Sequence, residues 1–253
     1  MGKVDITADK KQAGFTLVEL AVVMIIIGLL IGGVLKGQEL ISNAQIASTV
    51  AGIKGIDAAT STFSDTYNAF PGDMVNAQAR IPNCAGTCAN GNGNSFISNA
   101  GVAIAPNSTG VNAGEALNFW IHLNLADLIS GVDNTGTAAF GASMPTTNVG
   151  GGLVAGYVAS GAIGGRTATA TGRGGHYLVL RNDAATAGAG STLTANQAAR
   201  IDRKMDDGSP NAGTVMAIGT AGVAGCASAA TAVGVYNENL QGLLCDVAIR
   251  IQQ

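Results

Sequence analysis

KKQAGFTLVELAVVMIIIGLLIGGVLKG, residues 10–37, decides how the rest of the chain is read. From Phe15 to Leu35 the only charge is Glu19. As a helix this run spans about 31 Å at 1.5 Å per residue, close to the hydrocarbon thickness of a bilayer. A secretory signal peptide has a shorter apolar region followed by a small-residue cleavage site. A core helix that is apolar all round needs more partner helices than the remaining sequence offers. The run is therefore expected to cross a membrane. Lys3, Lys10 and Lys11 precede it, which favours a cytoplasmic N-terminus and places the chain after Lys36 on the outside.

Glu19 needs its own account. A charge inside a membrane helix costs on the order of 2–3 kcal/mol at the centre and less near an end, and such residues usually have a partner. One reading is an acid tolerated close to the interface. The other requires a cation at the same depth, which no residue of the run supplies. A cut just before Phe15 would create one, an α-amino group about one helical turn from Glu19. The amine of a neighbouring chain could reach the same carboxylate if the helices were staggered.

GFTLVEL, Gly14–Leu20, resembles the processing and assembly motif of type IV pilins and of the pseudopilins of type II secretion. The resemblance implies that a prepilin peptidase cuts after Gly14 and that Phe15 is then methylated. It assigns Glu19, the fifth mature residue, to pairing with a neighbour's N-terminus in a homo-oligomeric filament built at an inner-membrane assembly platform. It also implies an α+β fold in which a long N-terminal helix packs on an antiparallel β-sheet domain with Gly/Thr-rich loops. On that basis residues 1–14 are a leader, 15–68 the long helix with 15–35 in the membrane, and 69–253 a globular head. The leader is short, as in the common class of type IV pilins, whereas the mature chain is large for that class, so the subtype stays open. Family members often carry Pro near the twenty-second mature position, where Lys36 stands here. Gly28, Gly32, Gly33 and Gly37 are expected to form the soft point of the helix instead. Each costs about 1 kcal/mol relative to Ala, and their i, i+4 spacing permits close helix contact.

The totals exclude several function classes. The 253 residues carry a net charge of −3 and only 11% charged residues, so there is no electrostatic footprint for nucleic acid. No nucleophile elbow, phosphate loop, zinc signature or dinucleotide fingerprint occurs, and catalysis and cofactors are not expected. The cysteines, Cys84, Cys88, Cys226 and Cys245, form no CxxC. With two histidines in the chain, disulfides in an oxidising compartment fit better than zinc. Four cysteines allow three connectivities; local pairing, 84 with 88 and 226 with 245, is expected. The second bridge would contribute about 3 kcal/mol by loop entropy.

Beyond Lys36, Ile46, Val50, Ile53, Ile56, Thr60, Phe63, Tyr67 and Phe70 follow helical steps until Pro71 ends them. Leu117, Trp120, Ile121, Leu125 and Leu128 predict a second amphipathic helix stopped by Gly131, with His122 and Asp127 on solvated faces. This segment and FPGDM (70–74) resemble elements of some large pilin-like proteins. Strands are expected at 176–182, 213–219, 233–237 and 243–251, with a helix near 193–205 and a turn at Asp207–Gly208. Asp202, Asp206 and Asp207 cluster there. Some pseudopilins bind calcium near their C-terminal region, which makes these three a weak calcium candidate. Their spacing is not that of an EF-hand, and turn chemistry explains Asp-Gly without a metal. Asn107–Thr109 fits a glycosylation pattern of low specificity.

Overall fold

The computed structural model describes residues 14–97, 114–158, 173–184, 191–219, 225–228 and 234–251. It divides into a unit over residues 1–43 and a unit over residues 44–253. The leader before Gly14 and Asn107–Thr109 lie outside the described residues.

In the first unit, the helix α1 (Leu17–Tyr67) begins and carries the apolar run on open surface. Phe15, Leu17, Met24, Leu29 and Ile41 are all more than half exposed. This stretch is long and apolar enough to cross a membrane. In a bilayer such a run is held helical because each backbone N–H and C=O between its ends is satisfied within the segment.

In the second unit, the same helix turns amphipathic. Ile46, Val50, Ile53, Ile56, Ala59 and Phe63 are buried at steps of three and four. Thr60 shares that stripe because its hydroxyl donates to the Ile56 carbonyl at 2.8 Å, which satisfies it without leaving the helix. Four strands form an antiparallel sheet in the order β1–β2–β4–β3: β1 (Gly152–Val158), β2 (Gly175–Arg181), β3 (Val215–Ile218) and β4 (Asp246–Arg250). In the register, Leu178 faces Ala155 on one side and Ile249 on the other. Leu178, Leu180, Val247, Ile249, Val215 and Ala217 share one core with the α1 stripe. The alternate residues Tyr177, Val179, Met216, Ile218 and Ala248 bury a smaller cluster on the opposite face. A long N-terminal helix packed on a small antiparallel sheet is thus an α+β, pilin-like arrangement.

Two short helices and a loop complete the head. α2 is Ala77–Arg80 and α4 is Ala195–Met205. α4 starts in a full capping box: the Thr194 hydroxyl accepts from the Gln197 amide while the Gln197 side chain accepts from the Thr194 amide. α3 (Glu115–Leu125) differs from expectation. It ends six residues before Gly131, where Asp127 turns left-handed at φ 60° and Leu128 N donates to the Leu123 carbonyl. It is also buried from Glu115 through Leu123 rather than on one side. His122, expected on a solvated face, is fully buried, because α3 is enclosed between the sheet, α1 and the 70–97 loop. The segment 233–237 is no strand among its described residues; only Tyr236 bridges, to Ala227. β1 was not anticipated: its sequence, GLVAGYV, carries two glycines and reads as loop without its partner strand.

The 70–97 loop holds glycines that a side chain could not replace, Gly72 among them. Gly72 sits at φ +90°, and a Cβ there would drive into the Glu115 carbonyl oxygen. Gly72→Ala is expected to lower stability by about 1–3 kcal/mol, read as a reduced denaturant midpoint with unchanged slope. A change within a few tenths of a kcal/mol would mean that this loop does not hold α3 in place.

Candidate assembly and anchoring site

The residues singled out by the sequence fall into separate places. At the start of α1, Phe15 is 84% exposed, so its backbone is open to a processing enzyme and its side chain is without intrachain packing. Glu19 is not idle here. Its Oε2 accepts from the Thr16 amide at 2.9 Å and from the Thr16 hydroxyl at 2.8 Å, and the Thr16 hydroxyl accepts from the Glu19 amide at 3.3 Å. This is a reciprocal cap at the first turn, Thr16 as N-cap and Glu19 three residues on. The pattern Thr-x-x-Glu stands in the sequence at 16–19 and is a local signal for such a cap. An acid in the first helical turn also complements the helix dipole. Glu19 therefore has a local reason to exist, to which pairing with an amine would be added.

Gly28, Gly32, Gly33 and Gly37 lie in unbroken helix, and a Cβ at any of them would meet nothing within 4 Å. Nothing among the described residues requires these glycines. Lys36 pairs with Glu39 at 2.7 Å on the exposed surface one turn later.

In the head, the disulfides join Cys84 to Cys88 and Cys226 to Cys245. The first lies against His122. The His122 Nδ1 accepts from the Gly72 amide and its Nε2 meets the Ala89 carbonyl, both at 3.0 Å. The neutral ring with its proton on Nε2 satisfies both contacts. Burial pushes the His122 pKa down to about 4, against the smaller opposing effect of the Ala89 carbonyl. Asp73 does similar work: its carboxylate accepts from the amides of Gly93, Asn94 and Ser95 at 2.7–3.1 Å. FPGDM and the α3 segment, which looked like loosely related motifs, are therefore two halves of one clamp.

The carboxylates of Asp202, Asp206 and Asp207 converge to within 4.8 Å. Asp202 is fully buried; it accepts from the Tyr236 hydroxyl at 2.9 Å and the Gly208 amide at 3.1 Å. Asp206 accepts from the Thr214 and Val215 amides, and Asp207 from Ser209. These bonds tie α4 to the turn before β3 and to the C-terminal loop, and they account for the cluster without a cation. Desolvation raises the Asp202 pKa to about 7.

Comparison with known proteins adds one finding. Residues 9–35 match the prokaryotic N-terminal methylation motif. No curated protein and no solved structure matches the chain. The motif supports a prepilin of the type IV pilin or pseudopilin type, and together with the apolar helix it indicates membrane anchoring.

Two opposite pH dependences are expected. The native pKa of His122 lies below its ordinary value of 6.5, so the unfolded chain binds more protons between pH 6.5 and 4. Its contribution is complete above pH 6.5 and falls towards pH 4, by about 3 kcal/mol at 1.36 kcal/mol per unit. The native pKa of Asp202 lies above its ordinary 3.8, so its contribution is complete below that value and declines as pH rises through 7. The two windows overlap and their contributions oppose each other between pH 4 and 6.5, so in urea titrations His122→Gln should make stability fall more steeply as pH rises and Asp202→Asn should make it rise more steeply. A slope unchanged by either substitution would contradict the burial argument for that residue.

Proposed function

We propose that the chain is the structural subunit of a type IV pilus-like filament. It is inserted in the bacterial inner membrane with its N-terminus in the cytoplasm. It is cut after Gly14 by a prepilin peptidase, methylated on Phe15 and polymerised with copies of itself through the N-terminal half of α1. The observation that carries the reading is the conjunction at one helix end: the methylation motif over residues 9–35, an exposed Phe15, and a single acid within one turn of it. An apolar surface that stays outside the chain's own core has to be covered by lipid or by other copies. The four glycines fit the second cover. With no intrachain contact to make, they allow another helix to approach closely, and they lower local helix stability at a point where the helix could extend in a filament. Assembly, rather than catalysis, is the activity.

Within this reading, a surface pilus with roles in adhesion, motility or DNA uptake is preferred to a pseudopilin of type II secretion. The large head, the two disulfides and the low-charge, Gly/Thr-rich surface favour a subunit exposed outside the cell. A periplasmic pseudopilin is the second reading, since the methylation motif is common to both. An anchored protein that never polymerises is the third.

Mass spectrometry of filaments sheared from cells, beside the membrane fraction, separates the three. A major pilin is expected in the sheared material and starts at methylated Phe15. A processed chain confined to the membrane favours the pseudopilin, and an N-terminus at Met1 in both fractions would overturn processing. Glu19→Ala is expected to leave the chain in the membrane and to abolish or strongly reduce filaments; wild-type filament yield from that variant would remove the assembly role of Glu19.

A further inference from the structure

The charged pair Lys36–Glu39 interrupts a surface that is otherwise apolar and open. Val34 and Leu35 before it, and Leu40 and Ile41 after it, are all more than half exposed. From Leu17 to Ile41 the helix rises about 36 Å, against a hydrocarbon core of about 30 Å. With the first charge after the apolar run at Lys36, Leu40 and Ile41 stand beyond the hydrocarbon. Tilting the helix would submerge them only by drawing Lys36 and Glu39 into the lipid, where a charge is costly. Lipid is therefore a poor cover for this part of α1.

The pair does little for its own helix. Lys36 Nζ and Glu39 Oε2 are 2.7 Å apart, but the side chains are 67% and 51% exposed, and an exposed pair of this kind contributes little. Its order is also the less favourable one, with the cation ahead of the anion against the helix dipole.

The surroundings select a partner. Gly32 and Gly33 precede Lys36 by four and three positions, and Glu39 and Leu40 follow it by three and four, so the five residues share a face. A Cβ at Gly32 or Gly33 would meet nothing within 4 Å, which leaves room for a second backbone one turn from the charges. Whatever lies on this face meets a cation and an anion together. Anionic headgroups would satisfy Lys36 and repel Glu39. A second copy carries the same two charges and answers both, and its Leu40 brings apolar cover.

We propose that this face is a contact between copies, in which Lys36 of one pairs with Glu39 of the next. The proposal rests on the filament reading and adds to it an interface separate from that of Glu19. Glu39 stands 20 positions after Glu19, which at about 100° per residue turns it about 160° round the axis. The two acids therefore address different neighbours.

The test expresses the chain in cells and reads sheared filaments, normalised to the chain in the membrane fraction. Lys36→Glu and Glu39→Lys, both at exposed positions, should each lower filament yield by at least about tenfold, because like charges then meet between copies. Cells making both variants should recover filaments that contain both chains, since doubly acidic copies then meet doubly basic ones. The intrachain pair stays broken in each, so only a contact between copies explains the recovery. Wild-type yield from either variant alone would overturn the proposal, and loss confined to Lys36→Glu would assign the cation to lipid headgroups. Absence of recovery would overturn it too; normal assembly of the Lys36→Glu/Glu39→Lys double variant would then confine the pair to its own helix. Wild-type cells separate the two readings. With filaments present there, a negative result removes this contact alone; without them, the filament reading fails and this contact with it.

Discussion

The apolar surface of α1 between Leu17 and Ile41 has no cover among the described residues. A soluble domain cannot keep such a surface in water, and burying it on its own head would use the face that already carries Ile46 to Phe63. The helix resolves this by dividing its length: one part is apolar all round and relies on an external environment, the next is amphipathic and supplies the central stripe of the core. The other features of the N-terminal unit serve that division. The Thr16–Glu19 cap satisfies the first turn where water would be scarce, and the glycines leave open helix surface where a side chain would stand away from any intrachain partner.

The head is organised around a second constraint, the placement of buried polar groups. Three of these groups make defined connections. His122 joins the Gly72 turn to Ala89, Asp73 gathers the amides of 93–95, and Asp202 joins α4 to Tyr236 and Gly208. These are connections between loops and helices, not between strands. The sheet is held by its own ladder and two apolar faces; the loops, long and rich in glycine, need side chains to replace the backbone bonds they do not make. The Cys226–Cys245 bridge does the same for the C-terminal loop, beside the bonds that Leu193 makes with Cys245.

Elements with strong periodicity were legible. The stripe from Ile46 to Phe63 follows from helical spacing, and HYLVLR and DVAIR follow from β-branched and aromatic content. Elements whose identity rests on a neighbour were not. GLVAGYV becomes β1 because β2 offers it seven paired positions, whereas 235–237 meets the short 226–228 segment through a single bridge, Tyr236 to Ala227. The Thr-x-x-Glu cap was visible and passed over. His122 was misplaced because helical spacing ranks faces only when one of them meets water, and α3 meets almost none.

By itself the sequence determined the membrane-length helix, the methylation motif and the acid within it, because these depend on local periodicity and on residues close in the chain; the α+β class was implied by the family resemblance of that motif. Tertiary structure decided which polar residues are buried and what they hold. His122 with Gly72 and Ala89, and Asp202 with Tyr236, bring together groups 33 to 50 positions apart. Loop paths of that length are set by the free energy of the whole packed core, and no local pattern encodes them.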